Sequence, residues 1–470
     1  MAFFSQVLRR LFQTKPVNYQ HSEGSNLRRC LTATDLTMLG VGAIIGAGIF
    51  VLTGIAAATQ AGPAVIFSYL LAALACGFSA LAYAELASSV GGCGGAYGYA
   101  YASLGEVIAW IIGWDLLLEY GMDGATVSIG WSGYVQDALH AVGINLPAAF
   151  LNDPFHGGIV NLPAVIIILV LACILSIGVK ESVRFNRVIV YVKLSVIALF
   201  IGIGLFHFDP TKWHPFLPFG MQGIVNGAGL IFFAYIGFDA VSTASEEAID
   251  PQRSIPKGII ASLLICTVIY VIFAGLLTGM MDYNDLNVTS PVAAALLHIG
   301  YRFAAEIISI GAIAGLTTVI LVMLYGASRV FLAMARDGLL PQYFVKIHAQ
   351  SQTPRRLIWS LALIMAVIAG MLPIHQVASL VNMGTLAAFA VVCIGVVILR
   401  YTKPDMPRPF RTPASPFVPL MGVVMCLYLM SSLPAITWWS FGLWTLAGIV
   451  IYFSYSRANS VLGKEALAIG

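Results

Sequence analysis

Charge is what this chain has least of: Asp, Glu, Lys and Arg make up only 10% of its 470 residues, against about 25% in ordinary soluble domains. So sparse a polar surface excludes a water-soluble globular protein. No Gly/Ser-rich or Pro-rich linker divides the chain, and neither tail is long enough to build a core. Seven cysteines (Cys30, Cys76, Cys93, Cys173, Cys266, Cys393, Cys426) include no CxxC pair, which argues against a metal cluster or a disulfide framework. HExxH, GxSxG and P-loop patterns are missing, and the eight histidines fall in predicted loops, tails or helix ends. An enzyme or a haem protein would therefore lack its working groups. The N-terminal stretch has several cations but no short apolar region followed by a small-residue cleavage site, so it does not read as a secretory signal.

What fills the chain instead is apolar. Hydrophobic residues make up 59% of it and the mean hydropathy is +0.89. Runs of about 17 to 25 apolar residues, the length that spans a ~30 Å hydrocarbon core, follow one another almost without pause. The punctuation predicts helices near 33–58, 62–89, 97–126, 159–179, 183–207, 222–245, 256–281, 299–334, 357–373, 376–400, 417–432 and 435–456. The expected fold is an all-α integral membrane protein of twelve transmembrane helices.

Basic residues give an orientation, because cytoplasmic loops retain Lys and Arg. With the N-terminus inside, 21 of the 24 basic residues fall on the cytoplasmic side, Lys212 and Arg302 outside, and Lys193 within a helix. An inserted or missed helix would swap the sides downstream and collapse that split. Both termini are thus expected in the cytoplasm, and the slight basic excess calls for no nucleic-acid partner.

Two predicted helices break the rules for a membrane span. The first carries Gly42, Ala43, Ile44, Ile45, Gly46, Ala47, Gly48 and Ile49; the sixth carries Phe233, Ala234, Tyr235, Ile236, Gly237, Phe238 and Asp239. Close helix packing explains many such glycines. Here, though, they occupy equivalent positions in two five-helix halves, and five is odd, so a second copy enters the membrane inverted. Interrupted helices at matching places in inverted repeats point to a transport site. A half-helix starting near Gly46 to Gly48 offers N–H groups to a carboxylate. Carbonyls at Ile44, Ile45, Phe233, Ala234 and Ile236 suit an ammonium group, and an α-amino acid carries both charges on one carbon.

The stretches TMLGVGAIIGAGIF (Thr37 to Phe50), FFAYIGFDAVSTASEEAIDPQRSIPKGI (Phe232 to Ile259) and SRVFLAMARDGLLP (Ser328 to Pro341) resemble the amino acid, polyamine and organocation transporter superfamily. Within it the chain is similar to the bacterial branch of the cationic amino acid transporter family, over nearly its whole length. The resemblance implies a LeuT-like 5+5 inverted repeat with helices one and six unwound at the midplane. The first repeat would span 32–207 and the second 222–400, with two further helices at 417–456 and cytoplasmic tails at 1–31 and 457–470. It also implies amino acid uptake across a bacterial inner membrane, coupled to protons rather than sodium, with Phe233 as an aromatic gate. Members of the family often have Ser or Thr where this chain has Ala47, so a hydroxyl contact to the substrate carboxylate is absent and backbone amides remain.

Ionisable residues inside the predicted spans are Glu106, Asp115, Glu119, Asp123, Lys193, Asp239 and Glu306; such groups are costly at depth and mark candidate functional positions. Two readings of Lys193 stay open. Its ammonium could stand where sodium-coupled relatives of the fold hold an ion between helices one, five and eight, as the resemblance implies, tying protonation to the first break. It could equally be a structural clamp between the same helices. Glu119 and Asp239 are expected to modulate the coupling, while Glu85, Glu246 and Glu247 read as gate or loop ion pairs and Glu306 has no assigned role. Met323 is either packing or the adaptable wall of a pocket that, with no dedicated acidic residue, favours small substrates such as alanine, glycine or serine. The expected activity is symport of small L-amino acids, with exchange or amino acid sensing as alternatives. No cofactor is expected beyond the proton; a small membrane accessory subunit is left open.

Overall fold

The computed structural model describes residues 12–16 and 29–464 apart from 93, 142, 145, 289 and 373. Arg9, Arg10, Arg28 and Cys93 lie outside the described residues, as do the side chains of His140, His156 and His375. Fourteen helices of eight or more residues organise the described chain. They are α1 (Ala33–Ile44), α2 (Val65–Ser89), α3 (Ala96–Ser103), α4 (Glu106–Ala141), α5 (Leu162–Ile177), α6 (Val179–Phe206) and α7 (Gly220–Ile231). After these come α8 (Pro251–Met280), α9 (Pro291–His298), α10 (Arg302–Arg336), α11 (Arg355–Met371), α12 (Ile374–Thr402), α13 (Phe417–Ser431) and α14 (Ala435–Ile451). No strand occurs among the described residues; a single isolated bridge joins Leu31 to Ala248.

Local chemistry sets the boundaries. Thr32 and Asp35 form a capping box that starts α1: the Thr32 N–H donates to Asp35 Oδ2 (3.0 Å) and the Asp35 N–H to Thr32 Oγ1 (3.3 Å). Asn161 caps α5 through the Ala164 N–H (3.3 Å). Gly105, at φ +100°, turns the chain between α3 and α4 in a conformation that costs other residues more. The single helix expected over 97–126 is therefore two, and the second of them runs 36 residues to Ala141. The sequence did not show this division, because a lone glycine within a helical run is commonly tolerated.

α8 packs against α2 and α1, α10 against α4 and α6, α12 against α4 and α13, and α11 against α5. Among the described residues, seven helical stretches are long and apolar enough to cross a bilayer, the longest being Ala33–Ser89 at 57 residues. The outward faces are apolar as well: Trp439 is 75% exposed and Leu443 67%, surfaces that suit lipid rather than water.

Candidate functional site

Both glycine-containing segments lose regular helix where the sequence places the breaks. α1 ends at Ile45, which is extended (φ −78°, ψ 100°), and helical geometry resumes as a π-turn over Gly48–Leu52. α7 ends in a 3-10 turn, Phe232–Tyr235, after which Ile236 is extended (ψ 138°) and one helical turn restarts at Ala240–Thr243. Gly237 between them sits at φ +115°, a backbone region that L side chains rarely enter.

The two breaks touch. A Cβ on Gly48 would lie 2.2 Å from the Ala234 Cβ and 2.4 Å from its Cα, so only hydrogen fits at this crossing. Tyr270 of α8 spans the pair, its hydroxyl lying 2.7 Å from the Ile44 carbonyl and 2.9 Å from the Ala234 carbonyl. Met323 of α10 closes the other side: its Cε lies 3.1 Å from where a Gly237 Cβ would be. Phe233 is 7% exposed, beside the contact between Gly48 and Ala234.

Freed carbonyls are largely supplied by protein donors. Lys193 of α6, fully buried, directs its ammonium to Gly42 O (3.0 Å), Ile45 O (2.9 Å) and Thr318 Oγ1 (2.9 Å), which uses all three of its protons. The Thr318 hydroxyl also lies 2.9 Å from Gly42 O. Ammonium-binding carbonyls were expected at Ile44, Ile45, Phe233, Ala234 and Ile236. The structure sets protein donors beside four of them: Ile44 and Ala234 meet the Tyr270 hydroxyl, Ile45 meets Lys193, and Phe233 O accepts the Ile236 N–H (3.3 Å). Ile45 and Phe233 keep a second lone pair for another donor, while Ile44 and Ala234 share the one proton of the Tyr270 hydroxyl. No carboxylate pairs with Lys193 among the described residues.

Asp239 is built into the second break. Its Oδ1 accepts the Gly237 N–H (3.2 Å) and its Oδ2 accepts the Tyr120 hydroxyl of α4. Glu119, one residue before Tyr120, is fully buried, and neither of its oxygens has a hydrogen-bond partner among the described residues. Asp115 is likewise buried without a partner, turned toward Gly384 of α12.

Two of the ionisable residues expected inside spans lie at or near the N-terminal ends of their helices. Glu106 opens α4 rather than sitting inside a span, and accepts the hydroxyls of Tyr101 (2.8 Å), Tyr452 (2.8 Å) and Ser460. Glu306 is surface-exposed and pairs with Arg302 one turn earlier (3.7 Å).

The far ends of the two broken helices are tied to one another and to their neighbours. Cys30 N and Leu31 N donate to Glu247 O (2.8 and 3.0 Å), and Ile249 N donates to Leu31 O (3.0 Å). Glu247 takes a buried Arg329 (2.8 Å) and the Tyr325 hydroxyl, Glu246 takes Arg336 (2.9 Å), and Asp35 takes Arg187. Glu85 holds Arg400 (2.7 Å) and Arg408 (3.4 Å). Sequence reasoning missed Tyr270 and Thr318, because a hydroxyl in an apolar helix carries no signal until the carbonyl it serves is known to be free.

Comparison with known proteins agrees with this architecture. Residues 31–456 match the family model described as amino acid permease. The methylthioribose transporter of Bacillus subtilis is 49% identical over 97% of this chain and 99% of its own length. The branched-chain amino acid permease BcaP of the same organism is 46% identical over 93% and 95%. Human cationic amino acid transporter 4 is 36% identical over 87% of this chain and 65% of its own. This chain is a multi-pass membrane protein that belongs to the amino acid permease family, within the amino acid, polyamine and organocation transporter superfamily.

Proposed function

We propose that this permease carries small L-amino acids, alanine-like and broad in range, by proton-coupled symport, binding them between the two broken helices. The observation that carries this reading is the ammonium of Lys193, which is bonded to Gly42 and Ile45 at the first break. A fixed, protonatable charge occupies the joint that must flex, so loss or gain of its proton changes how α1 is held. The substrate carboxylate meets the N–H groups that open the half-helix at Gly46, Ala47 and Gly48, since the first N–H groups of a helix lack intrahelical acceptors. Phe233 covers it, Ile236 O faces the substrate ammonium, and Met323 bounds its side chain. Glu119 and Asp239 adjust the coupling, with the proton as the only ion.

The architecture in this proposal is twelve crossings in a LeuT-like 5+5 inverted repeat. Its support is the recurrence of parts. A broken helix opens each half, and an eight-residue helix follows the second crossing of each, Ala96–Ser103 in one and Pro291–His298 in the other. The 57-residue stretch counts as two crossings because Gly62 reverses direction within it at φ +62°. α4, which carries buried carboxylates, and the shorter α5, α11 and α13 add the remaining crossings. With both termini cytoplasmic in a bacterial inner membrane, the Asp35, Glu246 and Glu247 ion pairs form a closed inner gate.

The relatives named for branched-chain amino acids and for methylthioribose set the competitors for the test. Purified protein in proteoliposomes is given radiolabelled alanine under an inward proton gradient or an inward sodium gradient, with valine and methylthioribose as competitors. Accumulation with protons alone is the expected result. Accumulation that needs sodium would overturn the coupling; label entering only preloaded vesicles, whatever the pH, would make the protein an exchanger.

A further inference from the structure

One face of α4 runs across both breaks. Tyr120 reaches Asp239 at the second break. Trp131 donates its indole N–H to Thr317 Oγ1 of α10 (2.9 Å), and Tyr134 donates to Phe50 O, just past the first break (3.2 Å). Positions 120, 123, 127, 131 and 134 follow one another at steps of three or four residues, which is a single stripe on a helix of 3.6 residues per turn. The stripe touches the broken segments at both ends, which places Asp123 and Val127 on the same face of α4 between those contacts. Gly124 fixes the depth: a Cβ there would run into the Met365 Cε of α11 and lie 3.5 Å from the Met323 Cβ of α10, and Met323 in turn abuts Gly237.

Asp123 is 2% exposed, and among the described residues its carboxylate accepts no hydrogen bond and joins no ion pair. Lys193 has no proton left for it, having spent all three on Gly42, Ile45 and Thr318. Burying a carboxyl group this deeply without a partner is costly, and an apolar residue at this position would carry no such cost.

We propose that Asp123 is a specificity-determining residue that accepts a hydrogen bond from the side chain of the transported solute, a hydroxyl or an ammonium group. The pocket then prefers a polar side chain to an aliphatic one of the same shape. This rests on the reading that substrate lies between the breaks. A site built to hydrogen-bond a substrate group discriminates strongly against the analogue lacking it, because the site's own polar atom is left unpaired.

The test uses threonine and valine, which share a shape and differ by a hydroxyl for a methyl, as competitors of alanine counterflow in proteoliposomes. Wild type, Asp123→Asn and Asp123→Ala are compared by the ratio of half-inhibitory concentrations. A hydrogen bond to a charged group corresponds to about 10- to 100-fold. The ratio favouring threonine should therefore fall by about that factor in Asp123→Ala, and by less in Asp123→Asn, which keeps one acceptor oxygen. Valine's own value measures any general loss. An unchanged ratio in Asp123→Ala, or equal weakening of both competitors, overturns the assignment and leaves Asp123 a structural residue. Failure of the wild type to exchange any amino acid would instead sink the amino acid reading, and this inference with it.

Discussion

Gly48→Ala puts one methyl group where the two breaks cross. Its carbon would lie 2.2 Å from the Ala234 Cβ and 2.4 Å from the Ala234 Cα, whereas non-bonded carbons rest at about 3.5–4.0 Å. The segments must separate by more than about 1 Å, and no rotamer relieves the clash because one of the atoms belongs to the backbone. Overpacking of this kind costs about 1–3 kcal/mol. Separation also pulls the Ile44 and Ala234 carbonyls away from the Tyr270 hydroxyl that spans them, and an orphaned buried acceptor adds about 1–3 kcal/mol. The expected total is about 2–6 kcal/mol, seen as a lower thermal midpoint in detergent, with alanine uptake lost. Gly77→Ala is the control, since a Cβ at Gly77 meets nothing within 4 Å and alanine there removes only glycine's helix penalty, roughly 0.5–1 kcal/mol. Adding Ala234→Gly to Gly48→Ala should restore stability only in part, because the new methyl still clashes with the backbone of residue 234. A Gly48→Ala protein as stable and as active as Gly77→Ala would refute the crossing.

Three further outcomes follow from the same geometry. Arg329→Met strands the buried Glu247 carboxylate and should destabilise by about 3–5 kcal/mol, measured as a fall in thermal midpoint, with Glu247→Gln in the same chain recovering part of it. Glu306→Gln, at an exposed pair of the kind worth at most about 1 kcal/mol, should leave both uptake and midpoint at wild-type values; a large loss would mean that Glu306 is buried in the membrane-embedded protein. Uptake at fixed internal pH should fall as external pH is raised from about 6 to 8, because the symported proton becomes scarcer outside; uptake rising over that range would contradict symport.

The breaks were legible in the sequence because Gly42, Gly46 and Gly48 in one apolar run and Gly237 beside Asp239 in another make poor continuous helix. The partners that complete the site left none. Tyr270, Thr318 and Trp131 are ordinary residues in apolar helices, and their roles exist only once packing brings them beside a freed carbonyl or a facing hydroxyl. The turn at Gly105 was hidden for a related reason: a lone glycine in a helical run is commonly tolerated, so Glu106 reads as lying inside a helix when it opens one. Asp123 was visible as an ionisable residue at depth. Its place in the stripe from Tyr120 to Tyr134 depends on how α4 packs against both broken segments and α10, which a linear pattern does not contain.

Proton-gradient-driven uptake of labelled alanine by wild type and Lys193→Ala, measured side by side in proteoliposomes, tests the central claim that the ammonium bridging Gly42, Ile45 and Thr318 couples the proton to opening of the first break. Thermal midpoints of both proteins show whether the variant is folded. The account predicts accumulation above equilibrium in wild type and only equilibration in the folded variant. Accumulation in Lys193→Ala equal to wild type would contradict it, and would leave Lys193 a clamp between α1, α6 and α10.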